Sequence, residues 1–350
     1  MWAVIVKEFV ELRRDRRSMA LVIALPILLL VVFGYAANFN VDHIKTEVVG
    51  PGAQAASNSL PARLQVSSVD PAGTRNDAVR ALRDNKADVA VVTSSGTAPV
   101  ALVDGSELFA AQQAVSGLAQ AKPPLQTEVL FNPDLKTSWV MVPALAGLIM
   151  AFIGTIITSL GLVRERQAGT LEQLAVMPLR ATDVIGGKVV PYFVLACLDM
   201  LVVTILGVLL FSVPFNGSIP VFALGALLFV FVVLGIGVFI STISENQGQA
   251  IQTAILFLLP QILLSGMIFP LVGMPWAIRW IGYVLPLTYF IEIARGVMLR
   301  AEPLASLWPA FAVLAGMALL VFGAAVLRLS RDLAPNARRA EPVPAPAPAT

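Results

Sequence analysis

Between two apolar runs the chain carries the polar stretch RERQAGTLEQLAVMPLRATDVIGGK, Arg164 to Lys188, whose residue types suit docking rather than bond-making. Thr170 is a good helix N-cap and Gln173 follows three residues later, the spacing at which each side chain satisfies the other's backbone N–H. Gly169 permits the turn before the cap. Leu171, Leu174 and Ala175 then form an apolar strip, Glu172 and Gln173 lie beside it, and Pro178 ends the helix. Arg164, Glu165 and Arg166 put charge at its base. A short capped helix of this kind suits contact with a soluble partner, and it equally suits an ordinary surface helix with interfacial anchors.

The remaining candidates for chemistry are few. Asp199 lies mid-way along an apolar run, where an ionised carboxylate costs about 2.5–3.5 kcal/mol on insertion scales, so it faces protein or water. It is read either as a contact in a substrate or proton pathway or as a buried hydrogen bond to a neighbouring span. The single cysteine, Cys197, and the single histidine, His43, stand far apart, so neither a disulfide framework nor a His/Cys metal cluster is expected. No catalytic set is found. A nucleotide-hydrolysing chain needs a phosphate-cradling loop of the form G-x-x-x-x-G-K-[ST]; Gly186-Gly187-Lys188 lacks both the upstream glycine and the following hydroxyl residue.

These residues are set among six long apolar stretches that surround one polar insert. With 57% hydrophobic and 13% charged residues, the composition is far from the roughly one quarter charged of soluble domains. Each stretch approaches or exceeds the roughly 20 residues that cross a bilayer core as helix. The expected fold is therefore a polytopic α-helical membrane protein of six transmembrane helices, with an α/β extracytoplasmic domain inserted between the first and second. The first span covers 19–37, the insert 38–137 and a five-helix membrane domain 138–330. Within that domain the spans read as Trp139 to Val163, Val189 to Phe211, Ile219 to Thr242, Ala250 to about Phe269 and Leu307 to Leu327. Residues 267–304 are apolar but broken by Gly266, Pro270, Gly273, Pro275 and Pro286, and read as two short re-entrant or interfacial segments on the outside. Glu292 and Arg295, three residues apart, are expected to pair locally.

Orientation follows from the positive-inside bias. Lys7, Arg13, Arg14, Arg16 and Arg17 precede the first span, Arg164, Arg166, Arg180 and Lys188 lie in the loop 164–188, and Arg328, Arg331, Arg338 and Arg339 follow the last span. Both termini and this loop are thus expected in the cytoplasm. A cleaved signal peptide ending near Gly34 and Ala36 is the competing reading of the first run, but the leading segment is long, carries acidic residues, and precedes an apolar run longer than a normal signal core. In residues 1–18, Trp2, Ile5 and Phe9 fall on one helical face while Lys7, Glu8, Glu11 and Arg14 fall on the other, the pattern of an amphipathic helix lying in the cytoplasmic interface, with Arg13 and Arg14 near its end; a plain cytoplasmic extension of the first span is the competing reading. Residues 331–350, ending in EPVPAPAPAT, read as a disordered cytoplasmic tail. In the insert, Leu64 to Val69, Ala87 to Val92 and Pro99 to Asp104 are strand-like, and Thr74 to Asn85 and Glu107 to Ala121 have helical spacing.

The pattern R-E-R-x-x-G-T-L-E-Q-L-x-V-x-P-L from Arg164 resembles the signature of type-2 ABC exporter permeases. KEFVELRRDRR from Lys7 followed by Pro26 and FGYA from Phe33, STISENQGQA from Ser241 and LPLTYFIEIARGVML from Leu285 match in order, so the resemblance spans nearly the whole chain. It points to the bacterial drug-exporter-like branch with a large external domain between the first two spans. The family often has acidic residues just before the Gly-Thr pair, where this chain has Gln167 and Ala168, which leaves partner pairing open there.

The resemblance implies a permease subunit of an ATP-driven exporter in the bacterial inner membrane, moving a hydrophobic or amphipathic substrate outward. It implies no cofactor in this chain, with ATP and Mg bound by a separate ABC ATPase dimer that contacts Arg164, Glu165, Arg166, Gly169, Thr170, Leu171, Glu172, Leu174 and Pro178. A second permease copy or paralogue and a periplasmic adaptor are the other expected partners besides the bilayer, and no nucleic acid is. A gradient-driven secondary transporter is the first rival, yet such folds show internal repeats and several intramembrane ionisable groups, whereas Asp199 is the one clear case here. A receptor or anchor with an external binding domain is the second; it does not require the capped helix.

Overall fold

Alternation of apolar side chains builds a mixed sheet ahead of the helices. In this computed structural model the structure describes residues 44–61, 63–94, 97–120, 125–167 and 181–333. The first part contains β1 (Ile44–Val49), α1 (Ala53–Ser59), β2 (Leu64–Asp70), α2 (Arg75–Arg83), β3 (Val89–Ser94), β4 (Thr97–Asp104), α3 (Leu108–Ala119) and β5 (Gln126–Leu130). The strands lie in the order β2-β1-β3-β4-β5, with β1 parallel to β2 and β3, β4 antiparallel to β3, and β5 parallel to β4. Because successive side chains point to opposite faces, Val48, Val89, Val91, Ala101 and Val103 pack against α1 and α3, while Val49, Ala90 and Leu102 pack against α2. The strands β1 and β5 had no assignment from sequence: IKTEVV and QTEVL mix polar and apolar residues and are completed by pairing with distant neighbours.

A tight corner joins the sheet to the helices. Asn132 accepts the Lys136 backbone N–H through Oδ1 at 2.9 Å and donates through Nδ2 to the carbonyls of Gly105 and Lys136 at 3.2 and 3.1 Å. Phe131 and Leu135 hold left-handed backbone, at φ +65° and +48°, a conformation that costs free energy and persists only where its surroundings impose it. The Lys136 ammonium sits 5.0 Å from the Trp139 ring centroid, a cation–π contact at the entry to the first long helix.

The helical part comprises α4 (Thr137–Gln167), α5 (Ala181–Phe211), α6 (Ile219–Ile243), α7 (Gln247–Leu264), α8 (Trp276–Gly282), α9 (Pro286–Met298) and α10 (Leu304–Leu333), with a 3-10 turn at Leu271–Gly273. Five of these are long and apolar enough to cross a membrane: α4, α5, α6, α7 and α10. The pair α8 and α9, bent by 74° at their break, adds a sixth only if counted as one broken span. The expected first span at 19–37 and the amphipathic segment 1–18 lie outside the described residues; of the expected tail 331–350, residues 331–333 belong to the end of α10 and the rest lies outside the described residues.

The centre of the bundle is α6, which packs against α4, α10, α9 and α5. Small residues let it approach closely, as expected where helices associate by packing rather than by escape from water. A Cβ on Gly237 would lie 2.7 Å from Thr158 Cβ and 2.9 Å from the Thr155 carbonyl, and one on Gly154 would lie 2.9 Å from Val233 Cγ1. The ring of Phe229 stacks on Phe290 of α9 at 4.6 Å. By contrast α5 is peripheral, with 17% of its apolar window buried and Val194, Leu198, Leu201 and Leu209 exposed.

Candidate functional site

Three polar or open regions are candidates, at the two ends of the bundle and on its side. A helix of 31 residues such as α4 is about 46 Å long, so its ends lie on opposite sides of the bundle. The sheet is at its amino-terminal end.

At the far end, the carboxy-terminal turn of α4 is held against the start of α7. Gln247 donates through Nε2 to Gln167 Oε1 at 2.8 Å and accepts from Arg164 Nε at 3.4 Å. Asn246 caps α7 by accepting the Gln249 N–H at 2.9 Å, and Gln249 Oε1 accepts the Glu245 N–H. Arg328 of α10 donates to the Thr242 carbonyl at the end of α6 at 3.4 Å. Ends of four helices thus meet where Arg164 leads into the polar stretch. Of the residues expected to contact a partner, Arg164 is exposed and placed here, and Glu165 and Arg166 continue its helix. Gly169, Thr170, Leu171, Glu172, Leu174 and Pro178 lie outside the described residues, as do Trp2, Ile5, Phe9, Arg13 and Arg14. In the sequence SENQGQ carries only the family resemblance; its capping pattern, Asn246 before Gln249, is the local signal of this clamp.

On the side of the bundle, α5 and α6 border an apolar groove of about 420 Å³ that includes Cys197, Met200, Thr204, Phe222 and Val230. Asp199 does not line it. This carboxylate is half-buried beside Ala196 and Met200, and its Oδ2 has no hydrogen-bond partner among the described residues. Thr204 Oγ1, in the groove, is likewise without one.

At the near end, charges lock the sheet onto the helices. Arg300, 1% exposed, donates from Nη2 to Glu302 at 2.9 Å and from Nη1 to Ser106 Oγ at 2.9 Å, and lies 3.6 Å from the fully buried Asp104 carboxylate. The Ser106 hydroxyl in turn donates to Asp104 Oδ1 at 2.6 Å. Burial, the largest influence on Arg300, disfavours its charge, but Asp104, Glu302 and Glu107 outweigh it and hold the guanidinium protonated above its ordinary range. Arg295 donates to the Val140 carbonyl at 3.2 Å and lies 3.7 Å from Glu107. Its partner is therefore Glu107, on the other side of the seam, and not Glu292, the neighbour that sequence spacing offered. Nearby, burial pushes the Asp88 carboxyl from 3.8 up to about 6, against the pull of the Lys45 N–H it accepts at 2.9 Å. Asp104 and Glu107 carry no signal in the sequence, because nothing local connects them to Arg300 almost two hundred residues away; Glu302 is only two residues from Arg300, but its role in the cluster depends on the seam.

The order of elements, with a sheet inserted ahead of an apolar bundle, can be set against known proteins. The sequence profile of the ABC-2 family transporter proteins matches residues 16–327. The chain is an ABC-2 family permease. The probable multidrug ABC transporter permease YbhS of Escherichia coli K12 is 30% identical to it over 333 residues, covering 86% of this chain and 88% of that protein. YbhR of the same organism, also named a probable multidrug ABC transporter permease, is 28% identical over 90% of this chain and 95% of its own length. The ABC transporter G family member 20 of Dictyostelium discoideum is 28% identical over 64% of this chain but 31% of its own length. The permease is accordingly a multi-pass membrane subunit of an ABC transporter and not itself its ATPase.

Proposed function

We propose that the permease is the membrane half of an ATP-driven exporter that carries a hydrophobic or amphipathic molecule out of the cytoplasm or inner leaflet of a bacterial inner membrane. The observation that carries this reading is the clamp formed by Arg164, Gln167 and Gln247, which ties the base of the polar stretch to the helix ends of the bundle. A force applied to residues 168–180 would be passed to α4 and α7 together rather than dissipated in a free loop. The names of YbhS and YbhR support a drug-like cargo.

In this reading residues 164–188 form the coupling loop in the cytoplasm, with both termini on the same side, residues 19–37 are the first span, and 38–137 the extracytoplasmic domain. The coupling residues run from Arg164 through Thr170, Leu171, Glu172 and Leu174 to Pro178, and the segment containing Trp2, Ile5, Phe9, Arg13 and Arg14 lies in the interface beside them. Two permease chains, identical or paralogous, pair with two ATPase subunits that bind ATP and Mg, and a periplasmic adaptor extends the path. Asp199, with an unpaired carboxylate oxygen among the described residues, contributes to the substrate pathway.

Reconstitution with the cognate ATPase tests the reading. Replacing Glu172 and Leu174 with alanine is expected to leave membrane insertion and ATP hydrolysis in place while substrate efflux falls by about tenfold or more, an uncoupling worth at least about 1.4 kcal/mol. Unchanged efflux would remove the coupling role. Asp199→Asn is expected to alter efflux at equal expression.

A further inference from the structure

The seam between sheet and bundle encloses a cavity of about 210 Å³, too small for a drug-sized molecule and large enough for a polar head with a few carbons. Its polar wall is unbalanced. Asp88, Glu107 and Glu292 line it beside Lys45, Arg295 and Arg300, and Asp104 and Glu302 stand directly behind Arg300, so five carboxylates face three cations. Arg300 is taken by Asp104, Glu302 and Ser106, and Arg295 by Glu107 and the Val140 carbonyl. Glu292 has neither a hydrogen bond nor an ion pair among the described residues, although it is half-buried.

A second feature is independent of charge. Ser265, 1% exposed, also lines the cavity, and its Oγ has no hydrogen-bond partner among the described residues. Buried hydroxyls are normally satisfied, so a hydroxyl and a carboxylate lining one cavity both lack a donor among the described residues, with Arg300 and Lys45 near enough to attract Glu292 without pairing with it. The apolar part of the wall, Leu271, Val272, Tyr283 and Ile291, leads outward, and Val272 and Tyr283 are themselves exposed at 42% and 44%. The short helix between Val272 and Tyr283 also exposes Trp276 and Trp280. Tryptophan and tyrosine gather where a membrane meets water, and this segment carries both.

We propose that this cavity binds an organic ammonium group, with Glu292 as its counter-charge and Ser265 Oγ as a further acceptor, while the rest of the ligand lies along Val272 and Tyr283 into the bilayer surface. The aromatic rim favours the ethanolamine headgroup of a membrane lipid as its source, and a free amphipathic amine carries the same chemistry. The test does not require the ATPase.

The experiment is native mass spectrometry of the full chain in maltoside detergent, titrated with dihexanoyl phosphatidylethanolamine, dihexanoyl phosphatidylglycerol or octylamine. Phosphatidylethanolamine is expected to bind one per chain and more tightly than phosphatidylglycerol, with octylamine displacing it. Since a hydrogen bond to a charged group is lost, Glu292→Gln should weaken phosphatidylethanolamine about tenfold or more, and Ser265→Ala by a smaller factor. Glu292→Asp should retain part of the affinity. Octylamine binding that depends on Glu292, without phosphatidylethanolamine binding, keeps the ammonium site and assigns it to a free amine. Equal affinity of the wild type and Glu292→Gln for both amines, or equal binding of the two lipids without competition by octylamine, overturns the proposal. If Glu292→Gln does not fold, Val272→Trp, which fills the exposed mouth, must abolish amine binding for the proposal to stand.

Discussion

Arg300 has the most to lose from substitution, because three carboxylates and a hydroxyl are arranged around one buried guanidinium. Removing one partner from a buried ion pair leaves an uncompensated charge and costs about 3–5 kcal/mol. Arg300→Met should therefore lower the unfolding temperature of the purified chain sharply, and adding Asp104→Asn should recover part of the loss; a scanning-fluorimetry cycle of the two single variants and the double measures this. Asp88 gives a pH-dependent counterpart. Its folded-state pKa, raised from 3.8 to about 6, means that the folded chain binds more protons than the unfolded one between those values, so its contribution to stability is lost as pH rises through about 6. The lost contribution is about 3 kcal/mol at full expression. Asp88→Asn, which keeps an acceptor for the Lys45 N–H, should be more stable than the wild type at pH 7 and indistinguishable from it below about pH 4 in melts across that range.

At the scale of elements, the contact between α4 and α6 is set by the absence of side chains. Gly237→Ala would press a methyl against Thr158 and the Thr155 carbonyl, so the helices must separate, at a cost of about 1–3 kcal/mol. Gly316→Ala on α10 is the control, since a Cβ there meets nothing within 4 Å; with helix propensity alone at stake it should be neutral or stabilising by about 0.5–1 kcal/mol. Thermal melts of both variants, with size-exclusion profiles to confirm folding, distinguish packing from propensity. The positions of the spans among the described residues were legible in sequence because hydropathy is local. Trp139 to Val163 lies inside α4 and Val189 to Phe211 inside α5, while the polar turns that extend those helices, such as Arg164 to Gln167, carry no apolar signal. The strands β1 and β5 escaped because a half-polar run becomes a strand only when a neighbour supplies the ladder.

For the whole molecule, the two ends of the bundle must face different compartments if the proposed sidedness holds. With Cys197 as the single cysteine, a Cys197→Ala background gives a clean test. In whole cells with a permeable outer membrane, Asn58→Cys, exposed on α1, should react with a membrane-impermeant maleimide, while Thr170→Cys should react only after the inner membrane is opened. The reverse pattern would invert the assignment of the coupling loop and remove the route by which an ATPase could act on it.

What the sequence determined by itself was most of the elements, β1 and β5 aside, and their family: runs of apolar residues specify membrane helices through local hydrophobicity, the polar insert specifies a separate α/β unit, and the Arg164 to Pro178 pattern carries the ABC-2 resemblance. The tertiary structure alone decided which distant charges meet. Arg295 finds Glu107 rather than Glu292, and Arg300 finds Asp104, because burial at the seam makes an unpaired charge far costlier than one on an open helix face. A spacing of three residues offers a partner but does not say whether a second carboxylate, brought in by the sheet, lies closer. That choice depends on how the sheet seats on the bundle.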